Sequence, residues 1–139
     1  MSKLYIVRGI SGSGKSTYAK SLIEQGLCSI HVEADMFFYR NNKGYEFTFE
    51  ELNWAHRWCY DTVRIYLAHG YNVVVSNTFL KWRDIKLYVE FCETNQFDVE
   101  IVSMTGDYGS IHDVPDETMK KQRDNFQSHE HILEQFNQI

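Results

Sequence analysis

Three glycines, a lysine and a serine stand at fixed spacing near the start of the chain, in Gly9-Ile10-Ser11-Gly12-Ser13-Gly14-Lys15-Ser16, with Thr17 next. Glycine lets a backbone curl tightly enough to aim successive N–H groups inward, which makes a concave nest for phosphate oxygens. Lys15 is then placed to reach β- and γ-phosphates, and the Ser16 hydroxyl to ligate Mg²⁺. A helix starting at Lys15 adds the positive end of its dipole to the same point. The chemistry implied is binding of ATP, or another nucleoside triphosphate, with Mg²⁺. Gly9, Ser11, Gly12, Ser13, Gly14, Lys15, Ser16 and Thr17 are the expected nucleotide contacts.

Further candidates follow the apolar runs of the chain. Asp35 comes just after Ser29 to Glu33, where a carboxylate can take a proton from an attacking hydroxyl or serve the metal. A turn-forming role for Asp35 is the structural alternative. Arg40, with Asn42 and Lys43, is a candidate for a substrate phosphate or an exposed basic turn. Ser76-Asn77-Thr78 ends the next apolar run, where phosphate-loop enzymes commonly carry a metal-holding aspartate. Neutral groups fill that place here, so Asn77 and Thr78 are expected to face substrate or lid. The polar stretch Asp107 to Asp113 is the expected lid and contains no arginine, which leaves Lys120, Lys121 and Arg123 as the nearest cations. His56 reads as a packed residue, and His129 with His131 does not have metal-ligand spacing.

The elements that must hold these residues alternate strand and helix, as in a parallel α/β sheet. The pattern predicts strands over Lys3 to Arg8, Ser29 to Glu33, Asn72 to Val75 and Val99 to Met104. Helices are predicted from Lys15 to Gly26, from Leu52 to Gly70 and around Trp82 to Cys92. A last helix is expected from Pro115 to Phe126, with Ile132, Leu133 and Phe136 as a candidate extension. Thr48 and Glu51 have capping-box spacing, with Phe47 and Leu52 as its hydrophobic staple. The expected fold is α/β, three layers, a small parallel sheet flanked by helices, with ligand chemistry at the carboxyl ends of the strands.

With 139 residues, 43% of them hydrophobic, the chain has material for one core, and residues 1–139 read as one domain. The net charge of −5 argues against long polynucleotides held by phosphate neutralisation alone. No apolar run reaches membrane-spanning length, so no membrane partner is expected. Cys28, Cys59 and Cys92 are far apart in apolar settings and read as buried thiols of a reducing cytoplasm.

The run from Leu4 to about Phe126 resembles the kinase domain of phage-type polynucleotide 5′-hydroxyl kinases. It looks closer still to a related group of small P-loop ATP-binding domains. The resemblance is carried by Gly9 to Thr17, Glu33-Ala34-Asp35-Met36-Phe37-Phe38, Tyr45-Glu46-Phe47, Leu52 with Ala55-His56, Asn77-Thr78 and Val114-Pro115. It implies that Lys15 and Ser16 serve ATP and Mg²⁺ and that Asp35 is the general base for an incoming hydroxyl. It also implies a lid arginine that this chain lacks before Val114-Pro115. The polynucleotide kinases carry an aspartate where Asn77 stands, and the smaller relatives often carry one where Ser76 stands. The expected activity is γ-phosphoryl transfer to a hydroxyl, on a polynucleotide 5′ end or a nucleoside-like molecule. Phosphorylation of a small metabolite, and nucleotide binding with little turnover, are the alternatives.

Overall fold

The computed structural model describes residues 2–39, 47–106 and 114–139. Arg40, Asn42, Lys43 and the expected lid stretch lie outside the described residues. Four strands form one parallel sheet: β1 (Lys3–Arg8), β2 (Ile30–Val32), β3 (Val73–Asn77) and β4 (Asp98–Ser103), in the order β2-β3-β1-β4. Parallel neighbours need crossovers, and helices α1 (Lys15–Glu24), α2 (Leu52–Ala68) and α3 (Trp82–Asn95) supply them. Helices α4 (Asp116–Asn125) and α5 (His129–Phe136) complete the chain. The expected α/β architecture is the observed one, with strand limits shifted by a residue or two.

Alternation along the strands divides the interior in two. Leu4, Ile6, Val32, Val73 and Val75 face the larger core, with Cys59 and Val63 of α2, Ile85 and Val89 of α3, and Ile132 of α5. Tyr5, Val7 and Val74 face the smaller one, against Ala19 and Leu22 of α1. Both faces are thus covered, as a parallel sheet requires. Cys28, Cys59 and Cys92 are buried free thiols, as expected.

Two local expectations differ from the structure. Thr48 makes no side-chain cap bond; its hydroxyl donates instead to the Glu51 carboxylate at 2.6 Å, and Phe49–Glu51 is a 3₁₀ turn leading into α2. Reciprocal capping needs the backbone N–H groups of a regular first turn, which the 3₁₀ turn does not present. The last helix is not continuous, because it breaks at Gln127. There the Gln127 N–H donates to the Leu80 carbonyl at 2.8 Å, and Gln127 Oε1 accepts from the Trp82 N–H at 2.7 Å. Ser128 restarts the chain as α5, its hydroxyl accepting from the His131 N–H.

Candidate nucleotide site at the strand ends

The phosphate loop leaves β1 and is tied at both sides. The Gly9 N–H donates to the Thr78 carbonyl at 3.1 Å, and the Met104 N–H to the Arg8 carbonyl at 2.7 Å. Gly9 has no room for a side chain: a Cβ there would stand 2.2 Å from Ser13 Oγ and 2.9 Å from the Met104 carbonyl oxygen. Gly14, with φ 95°, caps α1 from the left-handed region that glycine adopts without strain. The first turn of α1 contains no acidic residue, so its N–H groups and dipole are left for an anion. These are the features a triphosphate cradle requires.

Lys15 crosses the mouth of the loop and donates to the Ile10 carbonyl at 2.9 Å. Burial lowers its pKa, against the opposing charges of Glu33 and Asp35. Ser16 donates to Glu33 Oε1 at 2.5 Å. The same oxygen accepts from Ser76 Oγ at 2.9 Å and lies 3.0 Å from His31 Nε2, which is itself 2.9 Å from Ser76 Oγ. Burial pushes the Glu33 carboxyl up in pKa, but the hydrogen bonds from His31 and Ser16, the His31 charge and Ser76 outweigh it and hold the group near 2. Glu33 is a carboxylate at any ordinary pH.

Asp35 stands two residues on, in the 3₁₀ turn Ala34–Tyr39, and its charge partly opposes the burial that lowers the Lys15 pKa. His56, expected to be packed, is on the exposed side of α2. Asn77 is not directed at substrate. It is buried, accepting from the Ala34 N–H at 2.8 Å and donating to Cys59 Sγ at 3.5 Å. Thr78 contributes through its carbonyl to Gly9. Arg123 of α4 lines a cleft with Ile10, Met104, Thr105 and Phe126 beside the loop.

Three residues that carry the site were not singled out for a role in the sequence. Glu33 is one. Gln122 is another, its Oε1 accepting from the Ser11 N–H at 2.8 Å and seating α4 against the loop. The third is Arg8, a fully buried cation. Its Nε donates to the Phe79 carbonyl at 3.0 Å, one terminal nitrogen to Ser103 Oγ at 2.8 Å, and the other to the Leu80 and Gln127 carbonyls at 3.1 and 2.7 Å. Its guanidinium lies 4.0 Å from the centre of the Phe126 ring. Burial lowers its pKa to about 10, against the charge of Asp84. The signals were faint: a charged residue closing an apolar strand, and an acidic residue beside a strand end with no carboxylate of its own.

The family model described as an AAA domain, AAA_33, matches residues 4–108. The chain belongs to that family. Among curated proteins the chain is similar to NEDD4-binding protein 2 of Homo sapiens, 29% identical over 97 residues. That match covers 69% of this chain and 5% of the human protein, so the chain spans a small fraction of its curated relative. Among solved structures it is similar to one of a Pnkp1/Rnl/Hen1 complex, at 24% identity and TM-score 0.59, covering 86% of this chain and 38% of that one. It is also similar to the Mycobacterium tuberculosis APS kinase CysC in complex with AMPPNP and APS, at 19% identity and TM-score 0.56, covering 87% and 68%. These likenesses establish a P-loop kinase-like fold, broader than the polynucleotide kinases the sequence resembles. No helix among the described residues is long and apolar enough to cross a membrane.

The oxygen donors fit Mg²⁺, which takes one or two carboxylates and completes its shell with water and substrate phosphates. Ser16, Glu33 and Asp35 are the residues that would hold it. No group of three or more His, Cys, Asp or Glu among the described residues is arranged to hold a metal ion by itself.

Proposed function

We propose that this AAA domain, acting as a single unit over residues 1–139, is an ATP-dependent kinase whose acceptor is a hydroxyl, with a nucleic-acid 5′ end as the first acceptor to test. The observation that carries the reading is the convergence of Lys15, Ser16 and the carboxylates after β2 on a loop with an open helix terminus. In this reading the loop N–H groups from Gly12 to Thr17 hold the β- and γ-phosphates, and Lys15 exchanges its Ile10 carbonyl for phosphate oxygen. Ser16 with Asp35 is the metal pair expected from the sequence. Mg²⁺, when bound, neutralises charge that develops on the phosphates. Asp35 accepts the acceptor proton as the acceptor oxygen bonds to the γ-phosphorus and the bond to the leaving nucleoside diphosphate breaks. Arg123, on the cleft beside the loop, is the cation nearest to a lid role.

A small ring-bearing acceptor is the second reading. It is favoured by the net charge of −5 and by Phe49 and Trp54, which are 77% and 67% exposed close to Asp35 in the chain. Incubation with labelled ATP and Mg²⁺ against 5′-hydroxyl oligonucleotides and a nucleoside panel separates the two. Oligonucleotide transfer should weaken steeply with salt, whereas a neutral small acceptor should be nearly indifferent. Asp35→Asn should slow transfer, and retention of the full rate would remove Asp35 as the base. No turnover on any acceptor, with nucleotide still bound, would leave a binding module.

A further inference from the structure

The third strand lacks the carboxylate that a phosphate loop ordinarily uses to hold its metal. We propose that Glu33, at the end of β2, supplies it from the neighbouring strand, and that Ser76 and His31 position it. This assignment rests on the nucleotide reading above and replaces Asp35 as the metal carboxylate, leaving Asp35 to the acceptor proton.

The argument is one of reach. β3 lies between β2 and β1, so a side chain on β2 must extend past the end of β3 to meet the loop that follows β1. The register pairs Val32 with Val75, which sets Glu33 beside Ser76. Glutamate is one methylene longer than aspartate, and serine leaves the path open. The carboxylate arrives on Ser16 Oγ, the hydroxyl whose ordinary task is to ligate the metal, at 2.5 Å. A long acid on the edge strand with a small hydroxyl on the inner one thus reaches the place a short acid on the inner strand would occupy.

The surrounding bonds aim the group and keep it from folding away. Ser76 and His31 both meet Oε1, the oxygen that meets Ser16, leaving the second carboxylate oxygen to other partners. A purely structural Glu33 would need only its two neighbours on the sheet. Contact with the phosphate loop is what such a role does not require.

The test is equilibrium binding of Mn²⁺ in the presence of ADP, read from the electron paramagnetic resonance signal of free Mn²⁺. ADP binding in EDTA is measured in parallel. Glu33→Gln should weaken Mn²⁺ by about ten- to a hundredfold while ADP binding in EDTA persists, which also shows that the variant is folded. Asp35→Asn should weaken Mn²⁺ far less than Glu33→Gln does. The double variant Glu33→Ser with Ser76→Asp, which moves the acid back to β3, should regain most of the lost affinity. Wild-type Mn²⁺ binding by Glu33→Gln, or a loss confined to Asp35→Asn, overturns the assignment and leaves the nucleotide reading standing. Failure of the wild-type chain to bind ADP even in EDTA overturns both.

Discussion

Two polar clusters stand at the carboxyl ends of the strands, each gathered around one long charged side chain, and they are built differently. Glu33 is held by side chains: Ser16, Ser76 and His31. Arg8 is held mostly by main-chain carbonyls, those of Phe79, Leu80 and Gln127, with Ser103 the one side-chain hydrogen-bond acceptor among the described residues. Side-chain hydroxyls and an imidazole can turn to new partners at small cost. Carbonyls fixed in the fold cannot, and each one left unpaired in the interior costs its full desolvation. The first cluster is therefore suited to exchanging partners with a ligand, and the second to locking elements in place. Buried charge alone does not mark a functional site; what the charge is bonded to does.

The comparison can be broken by substitution. Lys15→Ala should have the largest effect of all, lowering transfer by roughly 10²- to 10³-fold by analogy with the loss of one charge-stabilising donor, with the urea midpoint little changed. Rates at saturating ATP on the best acceptor would check it. Arg8→Ala should instead act on stability, by about 3 kcal/mol or more, because it strands three carbonyls and empties a buried volume. Arg8→Lys should rescue little, since an ammonium has no planar fork to reach Phe79, Leu80 and Gln127 together. If urea unfolding of Arg8→Ala matched the wild type, the locking role would fall.

Acid titration sharpens the other half. Glu33 titrates near 2 in the folded chain, below the ordinary 4.5 of a free carboxyl. Its contribution is thus complete above about pH 5 and is lost as pH falls toward 2, by up to about 3 kcal/mol. Unfolding free energy against pH should show that decline in the wild type and a shallower one in Glu33→Gln. The smallest effect belongs to Thr48→Ala. A true N-cap loss costs about 1 kcal/mol, but Thr48 bonds only the Glu51 side chain, so thermal unfolding should move by less than that.

Most of the fold was legible because its signals are local. The glycine-rich loop, the apolar run of β1 and the stripe of α2 each announce themselves within a few residues, and alternation of strand and helix implies a parallel sheet. The clusters were not legible, because each depends on which strands lie side by side. Glu33 gains its meaning from Ser76, 43 residues away, and Arg8 from carbonyls 71 to 119 residues away. The break at Gln127 has the same cause, since no glycine or proline marks it and its partners are Arg8, Leu80 and Trp82. Asn77 shows the converse error. Its position after β3 suggested substrate contact, yet strand alternation turns it toward Cys59 and the larger core.

β2 spans three residues and, among the described residues, has a neighbour on one side only. Amide protons there should exchange with solvent through local fraying, well before those of β1, which is paired on both sides. Mild denaturant would then peel this edge from the sheet while the rest of the domain stays folded. The carboxylate that meets Ser16 would leave with it, so metal-dependent function should fade at lower urea than the cooperative unfolding of the core.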